Sequence, residues 1–97
     1  MNLESLIDLT IKASAKMNVN DNEIEVAAGK VLFRFAKTAI YSVVNIVTRE
    51  VNGVLYCNLC GRGPFTKKGM FLHLSRSHRG EIRSIFEKEL EKAVSTR

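Results

Sequence analysis

Along residues 2 to 17, Leu3, Leu6, Ile7, Ile11 and Ala15 recur at three- and four-residue steps, the spacing that stacks side chains on one face of an α-helix. Asn18, Asn20, Asp21 and Asn22 interrupt the pattern as a polar break. From Glu23 to about Val47 the helical spacing resumes through Ile24, Ala27, Ala28, Val31, Phe35, Ala39 and Ile46. It predicts one long second helix, with Asn20 or Asp21 available to cap its start. The stretch Ala39 to Val47 fits this helix by period, while its β-branched content also suits a buried strand.

The pattern then changes. Asn52-Gly53 stands between Thr48 to Val51 and Val54 to Cys57. A tight hairpin turn favours this pair because both central residues must take positive φ. Near the end of the chain, Ile82, Ile85, Phe86, Leu90, Ala93 and Val94 form an apolar stripe among charged residues. That stripe predicts a last helix packed on the long second one. The fold class expected is α+β and mostly helical, with a helical scaffold over residues 1 to 52, a distinct module over 53 to 83 and a packing helix over 84 to 97.

The middle module carries the chemistry. The chain has two cysteines and two histidines, and all four lie in one C-x2-C-x12-H-x4-H arrangement: Cys57, Cys60, His73 and His78. Two cysteines on a tight knuckle bring two thiolates to one point, and two histidines about a helical turn apart complete a tetrahedron. Because His78 lies five residues after His73, the helix must loosen or end near Ser77 for both rings to converge, and Gly80 offers an ending there. A redox Cys-x-x-Cys, inert core cysteines or histidines placed by chance are the bland alternatives. With four protein ligands there is no open position for water and no spare Cys or His to act as nucleophile or base, so the reading is of a structural Zn2+ and not of an enzyme.

Over about thirty residues, Val54 to Arg83, the sequence resembles the C2H2 zinc-finger family. Met70 takes the place of the family's helix leucine three residues before the first histidine, and Phe65 resembles its core aromatic, displaced by one position. Gly61-Arg62-Gly63-Pro64 departs from the usual second strand, which implies a variant ββα unit with a glycine-rich turn. Single fingers with Gly-Pro-Phe before the helix are similar to those in small proteins of thermophilic archaea and their viruses or plasmids. With Thr66 as helix cap, the family's base-reading positions fall on Thr66, Gly69 and Leu72, with Lys68 beside them. Gly and Leu are poor readers of base edges.

The net charge of +5 sharpens this picture once it is divided along the chain. Basic and acidic side chains balance in residues 1 to 52 and again in 84 to 97. In residues 53 to 83, Arg62, Lys67, Lys68, Arg76, Arg79 and Arg83 face Glu81 alone. Such a local excess suits phosphate backbones. Arg76, Arg79 and Arg83 would form one stripe on a continuous helix. Phe71 and Leu72 sit where a free finger would expose them, so the helical half or a second copy of the chain is expected to cover them. The functional expectation is a nucleic-acid-binding protein, DNA favoured over RNA, acting as a small transcriptional regulator and able to form a homodimer. Binding of structured or ribosomal RNA and a protein-interaction adaptor are the alternatives. No small-molecule substrate is implied. No secretory signal or membrane span is legible at the N-terminus, because Asn2, Glu4 and Asp8 interrupt it and the most apolar run, Ala39 to Val47, is about half the ~20 residues needed to cross a bilayer. A cytoplasmic location is therefore expected.

Overall fold

A computed structural model describes residues 1–95; residues 96 and 97, the end of the expected 84–97 segment, lie outside the described residues. Five helices and one hairpin follow in the order α1 (Leu3–Ser14), α2 (Asp21–Ala28), α3 (Phe33–Val47), β1 (Thr48–Val51), β2 (Val54–Cys57), α4 (Lys67–Ser77) and α5 (Arg79–Ser95). The α+β, mostly helical class expected from the sequence is the class observed.

Local chemistry sets each start. The Asn2 side chain accepts from the Ser5 N–H at 3.1 Å and caps α1. Asn20 and Glu23 form a reciprocal capping box at α2, each side chain satisfying the other's otherwise orphaned backbone donor. Asn52 (φ 51°) and Gly53 (φ 81°) both take the left-handed backbone that the hairpin turn demands.

The single long helix expected from Glu23 to Val47 is not formed. Gly29, at φ 87°, ends α2, and α3 begins only at Phe33. Val31, whose spacing suited the buried face, is 87 % exposed in the turn. A straight helix would offer one face to the rest of the chain, whereas the break lets α2 and α3 each pack on α1 and on one another. Residues 39–47 are helical: Ala39, Ile40, Val43, Val44 and Val47 are buried at helical steps while Tyr41, Asn45 and Ile46 are exposed.

One apolar core runs through the molecule. Leu6, Ile7 and Ile11 of α1, Ile40, Val43 and Val47 of α3, and Ile82 and Phe86 of α5 are buried in it, as are Leu55 of β2 and Met70 and Leu74 of α4. As expected, α5 packs along α3. The helix begins earlier than expected, however, and its first turn overlaps residues 79 to 83. α3 passes into β1 with no intervening residue, and Thr48 Oγ1 donates to the Ser14 carbonyl at 2.6 Å, pinning the root of the hairpin to the end of α1.

Candidate metal centre

The site is assembled from three short pieces of chain. β2 delivers Cys57, after which the Gly61 N–H returns to the Cys57 carbonyl at 2.7 Å and the Cys57 N–H reaches the Arg62 carbonyl at 2.9 Å, closing a knuckle that presents Cys60 beside Cys57. Asn58 fastens that knuckle to the end of α3, donating from its backbone to Val47 (2.7 Å) and from its side chain to Ile46 (3.2 Å). The return strand shrinks to one bridge, in which Leu55 and Phe65 exchange both backbone hydrogen bonds, at 2.7 and 3.1 Å. Gly63 lets the chain approach β2 closely just before this bridge. At φ 150° it lies against Tyr56, where a Cβ would come within 2.5 Å of the ring and 2.9 Å of the Leu55 carbonyl oxygen. Only glycine fits there, which accounts for Gly63 within the Gly61 to Pro64 departure noted in the sequence.

Thr66 caps α4 as anticipated, its hydroxyl accepting from the Gly69 N–H at 3.0 Å. A Cβ at Gly69 would stand 3.2 Å from that hydroxyl. Met70 and Leu74, one turn apart, bury α4 against the core and turn His73 toward the knuckle. Phe65 stacks on the His73 ring at 4.7 Å and 23°. α4 ends at Ser77 and His78 leaves helical geometry (φ −131°, ψ 13°). This is the loosening needed at i+5, but Gly80 is not its cause, since Gly80 lies inside the first turn of α5.

The four donor atoms of Cys57, Cys60, His73 and His78 all lie within 4.8 Å of one another, with Cys60 Sγ 3.3 Å from His73 Nε2. The arrangement is that of a possible metal site. An independent observation fits it: His78 is buried, its Nδ1 is 2.6 Å from Glu81 Oε1, and its Nε2 has no hydrogen-bond partner. A buried ring nitrogen without a partner is costly unless something else occupies its lone pair. A carboxylate on the other nitrogen fixes the tautomer that leaves Nε2 free to ligate. Glu81 was missed in the sequence reading. Its position three residues after a candidate ligand, on the next helical turn, was the available signal.

Electrostatics distinguish the donors. Burial pushes the Cys57 thiol up. Cys60, at the surface, is brought down by the backbone N–H of Arg62 and then by His78. Burial lowers the pKa of His73, assisted by the positive charge of His78 and Arg62. At His78 burial acts in the same downward sense, but Glu81 and Cys60 together outweigh it and the net shift is upward.

The basic residues divide into two groups. Because the chain breaks at His78, Arg76, Arg79 and Arg83 do not share one helix. Arg79 pairs with Glu4 (2.9 Å) and Asp8 (2.8 Å) of α1, and Arg83 pairs with Glu4 at 3.3 Å. The Arg79 hydrogen bond holds the Glu4 carboxyl below its usual range. By contrast Arg62, Lys67, Lys68 and Arg76 are exposed and enter no ion pair among the described residues. Lys68, Leu72 and Arg76 follow at four-residue steps along one side of α4. Phe71 packs against the core, with α4 resting on α1, so the helical half supplies the cover expected for it, whereas Leu72 is half-buried and is not among the side chains packed on the core.

Comparison with protein-family models, with curated proteins and with solved structures finds no match to this chain. No helix among the described residues is long and apolar enough to cross a membrane.

Proposed function

We propose that this chain is a zinc-stabilised nucleic-acid-binding protein, a small DNA-binding regulator whose metal-bearing face docks on phosphates. The observation that carries the reading is the set of four exposed, unpaired cations, Arg62, Lys67, Lys68 and Arg76, mounted around a Cys2His2 cluster. Two thiolates and two imidazoles converging on one point favour zinc among the common divalent ions. Four protein ligands would give the ion a structural role, holding the knuckle, α4 and the helix break at His78 together. Cys57, Cys60, His73 and His78 would hold it, and Glu81 would orient His78. The chain's own part is to hold Arg62 on the knuckle and the lysines at the start of α4 in fixed relation, so that phosphates meet a ready-made set of donors.

Arg79 and Arg83 are assigned a different task. Their guanidinium groups tie α5 to α1, leaving Arg62, Lys67, Lys68 and Arg76 as the phosphate contacts of the metal-bearing face. Thr66, Gly69 and Leu72 offer few groups for reading base edges, so α4 supplies affinity more than selectivity.

Fluorescence anisotropy of the zinc-loaded full chain with duplex DNA at several salt concentrations tests the proposal. Four phosphate contacts give a slope of log affinity against log salt of roughly −3 to −4. Replacing Arg62, Lys67, Lys68 and Arg76 by Gln should weaken binding to all sequences alike and flatten the slope. Binding that is insensitive to both salt and these substitutions would refute it, and tighter binding of structured RNA at equal salt would move the reading to RNA.

A further inference from the structure

The N-terminal half contains a chain path that the metal site does not use. α2, eight residues long, is followed by a four-residue turn beginning with Gly29 and by the fifteen-residue α3. A short helix, a three- or four-residue turn containing glycine and a longer helix is the path of a helix-turn-helix, in which the second helix enters the DNA major groove and presents side chains from its N-terminal part. Arg34, Thr38, Tyr41 and Asn45 lie on the outside of α3 at steps of four, three and four, and all are exposed, Tyr41 to 44 %. These four positions form one stripe about 16 Å long.

Their chemistry differs from that of the outer positions of α4. Arg makes paired hydrogen bonds to guanine, Asn to adenine, and Thr to either kind of base edge. α3 carries no acidic residue at all. Lys30 stands in the turn before the stripe. Lys16 flanks its other half, lining a groove with Met17, Tyr41 and Asn45. Neither lysine, nor Arg34, is in an ion pair among the described residues, whereas Lys37, off the stripe, is held by Asp21 at 3.0 Å. Positive charge at the start of a polar helix face, from Lys30 and Arg34, and beside its second half, from Lys16, complements phosphate strands flanking a groove. The face also runs on toward the metal knuckle, because Asn58 bonds to the Ile46 carbonyl and lies 3.5 Å from Arg49, whose guanidinium covers the Tyr56 ring.

We infer that α3 is the sequence-reading element, placing Arg34, Thr38, Tyr41 and Asn45 in the major groove of duplex DNA, with the basic metal-bearing face holding the flanking backbone. The inference rests on the nucleic-acid reading above and deepens it by naming duplex DNA as the target and α3 as the source of selectivity.

Selection of the zinc-loaded full chain against a pool of random duplexes tests it, followed by affinity measurements on the enriched sequence and on an unrelated duplex. The double substitution Arg34→Lys and Asn45→Ala keeps the charge of the face while removing the paired hydrogen bonds. It should weaken binding to the enriched sequence by about tenfold to a hundredfold and leave the unrelated duplex within about threefold. Lys67→Gln with Lys68→Gln should weaken both alike. All these side chains are exposed, and an unchanged thermal midpoint confirms the fold. An enriched sequence bound equally well by the α3 variant, or a pool with no enrichment, overturns the inference while leaving phosphate binding intact. Sedimentation showing that the α3 variant dissociates a dimer would reassign the face to a second copy and overturn it as well. Failure of the unaltered chain to bind any duplex at low salt would remove both readings together.

Discussion

α3 buries Ala36, Ala39, Ile40, Val43, Val44 and Val47, six of its fifteen residues, against neighbours that include the fully buried Ile82 and Phe86. The segment that carries the candidate metal site, residues 48 to 78, is twice as long and buries only Leu55, Cys57, Met70 and Leu74 as apolar side chains. Both regions share one core, yet they depend on different forces. The helices are ordered by removing apolar surface from water. The knuckle and α4 have few such contacts to set against the entropy of ordering their backbone, and they gather instead two cysteines and two histidines able to hold a metal ion. A small unit lacking core volume commonly uses a metal in this way.

Removing the metal should break the comparison most severely. Structural zinc in finger peptides contributes about 10–16 kcal/mol of apparent binding free energy at neutral pH. With a strong chelator present, hydrogen exchange read by mass spectrometry should show β2, the knuckle and α4 losing protection while α1, α3 and α5 keep most of theirs. Equal loss everywhere would show that the helical half has no stability of its own. Phe86→Ala probes the opposite side, where emptying a fully buried position costs about 3–5 kcal/mol. Chemical denaturation of the zinc-loaded protein should show that loss, with the zinc stoichiometry unchanged while the chain stays folded. Glu81→Gln is the finest probe. It keeps the shape of the side chain but removes the charge beside His78 Nδ1, and should weaken metal affinity by about tenfold to a hundredfold in a competition titration. An unaltered affinity would show that the 2.6 Å contact does not orient the ligand.

How much of this was legible in the sequence follows from the range of each interaction. Asn52-Gly53, the Thr66 cap and a cap at Asn20 or Asp21 depend on neighbours a few residues away, and each was readable; the Cys57, Cys60, His73 and His78 group was readable from its spacing, although Cys60 and His73 lie thirteen residues apart. The break at Gly29 was not, because Val31 continues the apolar period and only its exposure in the folded chain reveals that the period was accidental there. Gly29 itself was the overlooked sign, being the residue best suited to the left-handed conformation past a helix end. The pairing of Glu4 and Asp8 with Arg79 spans more than seventy positions. No local pattern announces it, so Arg79 and Arg83 looked as free as Arg76.

The direct passage from α3 into β1 bears on how the molecule would meet any target. Fingers strung on flexible linkers can swivel and settle one at a time. Here the knuckle is bolted to a helix end by Asn58, and Thr48 is bolted to α1, with no hinge residue between. The body, 37 Å long and 23 Å across, therefore approaches as a single wrench-like tool with a fixed bite. A partner has to match that spacing or deform to it, and little orientational freedom remains in the protein to be lost on contact.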